Sequence, residues 1–104
     1  MKTRTWIIVL GTLALAGLAD AWTWALAPEF LRATDLSPIA RLFAGYPSGF
    51  LLSKVATVAL IAGIVWLARG VSPRFEHSAL LVVLVGVVYW TIGSGINLAT
   101  VLAA

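Results

Sequence analysis

Three long apolar runs, at about residues 5–27, 50–67 and 78–102, organise the chain, and most of its charged residues fall between or before them. Each run is long enough to cross most or all of a hydrocarbon core ~30 Å thick at ~1.5 Å per helical residue. Unbroken apolar character over such lengths does not suit barrel strands, which alternate lipid-facing and lumen-facing residues. The pattern therefore predicts an all-α membrane protein with three transmembrane helices.

The connection between the first two runs, "PEFLRATDLSPIARLFAGYPSGF", is too long for a tight turn and too apolar for a free loop. It predicts a short interfacial helix over about residues 37–45. Ser37 before Pro38 is a helix start, because the hydroxyl can accept an orphan backbone N–H and proline is preset for the first turn. Gly45 and then Pro47 mark the stop. Asp35 is placed to share the capping with Ser37. Such a helix would bury Ile39, Leu42 and Phe43 while Arg41 reaches out to headgroups.

Composition narrows the class further. With 104 residues, 11% of them charged, and a mean hydropathy of +1.03, the chain lies outside the range of soluble domains. The expectation is one membrane domain over residues 1–104, without room for a separate soluble domain. A net charge of +3 raises the question of nucleic acid. The seven Lys and Arg residues, however, are scattered singly near the ends of apolar runs, where they orient helices, and no nucleic-acid partner is expected. There is no cysteine for a disulfide or a thiolate metal site. No repeat or low-complexity tract interrupts the layout.

Lys2 and Arg4 precede the first run, and Arg69 and Arg74 lie between the second and third. The positive-inside rule places all four on the cytoplasmic side, with the N-terminus inside and the C-terminus outside. Arg32 and Arg41 in the other connection oppose that assignment. Trp22, Trp24 and Tyr46 at one level and Trp6 and Trp66 at the other read as an aromatic belt at the two interfaces. A competing reading takes Lys2, Arg4 and "ADA" at residues 19–21 as a cleavable secretory signal, against which stands the apolar "WTWALA" that follows.

An acid within the first run changes the picture most. A carboxylate near the bilayer centre costs at least ~2.5 to 3.5 kcal/mol, so Asp20 needs a partner, a proton or a cavity. It lies about 7 residues, or ~10 Å, below the end of its span, and Lys54 lies about 4 residues, or ~6 Å, below the start of the next on the same side. An ion pair between adjacent antiparallel helices is the expectation. Thr23 shares a helical face with Asp20, and Ser94 and Asn97 share one with Trp90 at a similar level of the third run. Small residues line the expected helix contacts: Ala16, Gly17, Ala59, Gly63, Gly86, Gly93 and Gly95.

Two readings of this polar layer stand. In the first, the ion pair and interhelical hydrogen bonds choose the packing register of three short helices. In the second, the layer is a polar pocket for an ion, a proton or a lipid headgroup; should Lys54 turn to the interface instead, Asp20 becomes a proton-binding candidate. Elsewhere, His77 beside Glu76 reads as an interface residue, since no second His exists to build a metal site. No nucleophile and base arrangement, metal-ligand spacing or phosphate-binding glycine loop is present, so no catalytic residue, metal or cofactor is assigned. The expected function is that of a non-enzymatic membrane component whose partners are the bilayer and other membrane helices, as a homo-oligomer or an accessory subunit. The alternative is an oligomeric transporter or channel protomer using the Asp20/Lys54 layer, with a membrane enzyme third.

The order of these residues resembles domain of unknown function family 5658, small prokaryotic membrane proteins. The likeness rests on a first span ending in Asp20 with Thr23 after it, on "DLSP" with Asp35, Ser37 and Pro38, on Lys54 opening the second span, and on Asn97 near the end of the third. It covers roughly residues 16–100. Ser37 stands where the family pattern has an asparagine before the proline. The resemblance implies the three-helix layout and a prokaryotic inner or plasma membrane, singles out the same polar layer, and implies no activity.

Overall fold

The computed structural model describes residues 2–35 and 37–103. Among these residues five helices follow one another: α1 (Thr3–Ala25), α2 (Glu29–Ala33), α3 (Pro38–Leu42), α4 (Pro47–Arg69) and α5 (Pro73–Ala103). Among the described residues there is no strand. Helices α1, α4 and α5 are each long and apolar enough to cross a membrane.

Local chemistry sets their ends. Pro28 follows α1 and cannot continue its hydrogen bonding, so the last turn closes through Leu26 N–H donating to the Trp22 carbonyl and Ala27 N–H donating to the Trp24 carbonyl. Pro47 opens α4, and Pro73 is the first residue of α5. At both positions the missing N–H would have had no intrahelical partner. Ser72, just ahead of α5, accepts from Phe75 N–H at 3.3 Å. Because caps and prolines rather than hydropathy decide these ends, the helices extend past the apolar runs: α5 takes in Arg74, Glu76 and His77, and α4 reaches Arg69.

Arg69 of α4 donates to Thr3 of α1, and Trp6 of α1 donates to Glu76 of α5. The start of α1, the end of α4 and the start of α5 therefore share one end of the bundle, here the Glu76 end. The opposite end, capped by α2 and α3, is the Asp35 end. Helices α1 and α5 run parallel with α4 antiparallel to both, as a connection of residues 70–72 requires. Helix α1 packs most extensively on α5, then on α4, whereas α4 and α5 touch each other least. The 31 residues of α5 span about 46 Å at ~1.5 Å per residue, matching the 47 Å long axis of the molecule.

The buried positions of α1 are Trp6, Leu13, Gly17, Asp20, Ala21 and Trp24, a single stripe. Against it pack Val65 of α4 with Val83 and Trp90 of α5. Two apolar α1–α5 contacts depend on glycine: a Cβ on Gly17 would meet the Trp90 ring at 2.7 Å, and one on Gly86 would meet Leu13 Cδ1 at 3.1 Å. A second cluster at the Asp35 end joins Ala21 and Trp24 to Ala40 and Phe50, with Phe43 against it. Leu15, Leu60, Trp66 and Val85, among many others, point outward, a surface suited to lipid rather than water.

Several expectations are corrected. The α1–α4 connection holds the expected short helix, α3, and ahead of it a second that was not expected, Glu29–Ala33. Helix α3 ends at Leu42 rather than 45; it turns Ala40 toward the bundle and leaves Ile39 and Leu42 on the outer surface, where an interfacial helix presents its apolar side chains to lipid. A five-residue helix has one inward position per turn, and the close approach of Trp24 and Phe50 selects the smallest side chain for it. Trp6 and Trp24 are buried, at 2% and 3% exposure, and are not interface anchors. Trp22, Tyr46 and Trp66 remain exposed.

Candidate functional site

The polar groups of the three spanning helices meet toward the Asp35 end. Lys54 Nζ lies 2.9 Å from Asp20 Oδ2, with both side chains almost fully enclosed. Asn97 Nδ2 donates to the other carboxylate oxygen, Oδ1, at 3.0 Å. The same amide nitrogen reaches the Asp20 carbonyl at 3.1 Å and Thr23 Oγ1 at 3.3 Å. Thr23 in turn donates to the Ala19 carbonyl at 2.8 Å, which leaves its oxygen free to accept. Asp20, Thr23, Lys54 and Asn97 are thus brought together. Ser94 is not: its hydroxyl donates to the Trp90 carbonyl of its own helix at 2.9 Å.

The lysine is engaged on three sides. Besides the carboxylate, its ammonium sits 4.4 Å from the Phe50 ring centroid and 4.6 Å from that of Trp90, positions from which both π faces attract it. Gly93 makes room for the acid, since a Cβ there would fall 2.7 Å from Asp20 Oδ1. With both oxygens bonded and the cation neutralised, the cluster satisfies the condition for keeping two charges in an apolar medium.

A second layer lies nearer the Asp35 end. Trp24 Nε1 donates to Asp35 Oδ2 at 3.1 Å, and Asp35 Oδ1 accepts from Ser37 N–H at 2.8 Å. Ser37 Oγ accepts from Ala40 N–H at 3.4 Å, so the serine caps α3 while the aspartate closes the turn before it and holds the indole. Arg32 Nε donates to the Ala44 carbonyl at 2.7 Å, and its Nη1 donates to the carbonyls of Ala25 and Ala27. Its guanidinium also lies 5.6 Å from the Trp24 ring centroid. One planar fork thereby serves the open end of α1 and the chain beyond α3, which a lysine point charge would not do.

The residues missed in the sequence lie mainly at the Glu76 end. Trp6 Nε1 donates to Glu76 Oε1 at 2.9 Å, and Glu76 is 8% exposed. An acid in the first turn of a helix also complements the helix dipole. Each end of α1 therefore carries a tryptophan that donates its indole N–H to a carboxylate outside α1. His77, next to Glu76, is exposed.

Beside the polar cluster the separation of α4 from α5 leaves a cleft of about 970 Å³. Asp20 and Trp24 form its back; Phe50, Ser53, Lys54 and Thr57 line one wall; Trp90, Gly93, Ile96 and Asn97 line the other. Ile39 and Ala40 lie at the Asp35 end. No three His, Cys, Asp or Glu side chains gather among the described residues as a metal site would require. Comparison with protein-family models, with curated proteins and with solved structures finds no match.

Proposed function

We propose that this chain is a small non-enzymatic integral membrane protein that works by associating with other membrane helices, as a homo-oligomer or an accessory subunit. The observation that carries the reading is the division of its glycines. Gly17, Gly86 and Gly93 serve contacts inside the bundle, whereas Gly11, Gly63 and Gly95, one on each spanning helix, have nothing within 4 Å of where a Cβ would stand. Close helix approach in a bilayer relies on small outward residues of this kind. The mutual neutralisation of Asp20 and Lys54 supports a packing role for the cluster.

In this proposal the protein sits in a prokaryotic inner or plasma membrane, N-terminus cytoplasmic and C-terminus outside. The bonding of Arg32 to backbone carbonyls supports that orientation by giving one of the two opposing arginines a structural reason for its place. The proposal includes kinship with domain of unknown function family 5658, on the strength of Asp20, Thr23, Lys54 and Asn97.

The test is the assembly state. In lipid nanodiscs or mild detergent, Gly63→Leu and Gly95→Leu are expected to shift an oligomer toward monomer with helix content unchanged, as read by light scattering and circular dichroism. A wild-type protein that is monomeric, and that retrieves no membrane partner on cross-linking in its native membrane, overturns the reading. The cleft beside Asp20 favours a second one, an oligomeric transporter protomer. Its mark is ion or solute flux in proteoliposomes that Asp20→Asn abolishes while leaving assembly intact.

A further inference from the structure

The tryptophans of the bundle divide in an informative way. Trp6 and Trp24 each donate their indole N–H to a carboxylate, but Trp90, also buried at 8% exposure, has no acceptor for its own among the described residues. Its benzo edge, through Cε3, Cζ3 and Cη2, is turned to Gly17 of α1. In an indole, Nε1 stands on the side of the ring away from Cε3 and Cζ3. Every fully sealed side-chain polar atom among the described residues has a partner, so this N–H is not sealed, and Trp90 lines the α4–α5 cleft. A buried indole normally finds an acceptor.

Asn97 supplies the complement. Its Nδ2 is engaged with Asp20 and Thr23, while its Oδ1 accepts from no described group, and it too lines the cleft. On the facing wall the hydroxyls of Ser53 and Thr57 donate to their own helix at 2.6 and 2.8 Å and keep free lone pairs. Besides the hydroxyl of Tyr89, which also lines it, the cleft thus offers the Trp90 donor and several acceptors, set between apolar surfaces such as Phe50 and Ile96. It offers no unengaged charge pair to a charged head: Lys54 faces Asp20 and two rings, Asp35 has both oxygens bonded, and Arg32 holds backbone carbonyls. A charged head would bring a net charge into a neutral low-dielectric layer.

We infer that the α4–α5 cleft is a lateral binding site for an uncharged, hydroxyl-bearing amphiphile such as a glyceride, its head taking the Trp90 N–H and donating to Asn97 Oδ1 and the α4 hydroxyl oxygens, with its chain leaving between α4 and α5. The cavity, about 970 Å³, is at the upper end of the ~300 to 1,000 Å³ typical of small-molecule sites. The inference rests on the chain spanning a bilayer but not on its association with other helices, so a monomer can satisfy it.

The experiment uses the full chain in liposomes with a photoactivatable monoacylglycerol at trace level, beside matched photoactivatable phosphatidylglycerol and fatty acid. The expected result is monoacylglycerol labelling concentrated several-fold on cleft residues, Thr57 and Ile96 among them, over lipid-facing Ile8 and Leu15. Thr57→Trp, which fills the cleft from an exposed position without touching the ion pair, should abolish that enrichment with helix content unchanged. Ser53→Ala, kept as a milder variant should Thr57→Trp misfold, should reduce it. Labelling equal on cleft and lipid-facing residues, enrichment as strong with the charged probes, or enrichment unchanged in the correctly folded variants each overturns the inference. A cleft that holds only water gives the first of those results.

Discussion

Asp20 draws on all three spanning helices at once: its own, Lys54 of α4 and Asn97 of α5. Removing one member of a buried pair strands the other, at a typical cost of ~3 to 5 kcal/mol, whereas replacing both with neutral groups removes the reason for the cost. Asp20→Asn and Lys54→Met are each expected to lower the unfolding free energy by about that much, and the double variant by clearly less than the sum. Equilibrium unfolding in mixed micelles measures the cycle, and strictly additive effects would show the two side chains to be energetically independent. The pairing was legible in the sequence because an acid in an apolar run demands a base at equal depth, and Lys54 alone met both conditions. Trp6 with Glu76 was not legible, since each sits near the end of a run where the interface offers an easier explanation. A signal did exist. Trp6 and Trp24 are five helical turns apart and lie on the face that carries Leu13, Gly17 and Asp20, whereas Trp22 is about 160° away from Trp6.

Among the elements, the connection between α1 and α4 departs furthest from its sequence reading. Ser37, Pro38 and Pro47 announced a helix and its limits, and Ser37 does accept the Ala40 N–H. Helix α2 gave no such notice: Pro28 at its N-cap makes no side-chain cap bond, and five residues are too few to show a period. What holds the connection is long-range and was unreadable locally, namely the Trp24–Asp35 bond and the three carbonyls served by Arg32. Lysine at position 32 cannot reproduce a planar fork. Arg32→Lys should therefore leave α1, α4 and α5 intact while amide exchange over residues 26–46 quickens by an order of magnitude, roughly the ~1.4 kcal/mol of a lost charge-assisted bond. Exchange unchanged in that segment would mean that Trp24, Phe43 and Phe50 hold it without the guanidinium.

For the whole molecule, the three apolar runs made the helical, membrane-compatible architecture readable from hydropathy alone, while the unequal packing that opens the cleft was not. Hydropathy is almost the same along α4 and α5, so it says nothing about which pair of helices parts. That is decided by Gly17 and Gly86, which draw α1 and α5 together. The shared neutralisation of charge also has a temporal side. A ribosome makes the acid first, 34 positions ahead of its base and 77 ahead of the amide that completes its shell. During that interval the nascent N-terminal segment carries a carboxylate with no counter-ion, at a penalty of a few kcal/mol on insertion scales. A nascent chain stopped before Lys54 should accordingly integrate less fully than its Asp20→Leu counterpart, and chains extended past Lys54 should close the gap. Engineered glycosylation sites would read that difference, and equal integration of the two stopped chains would show that biogenesis does not wait for the base.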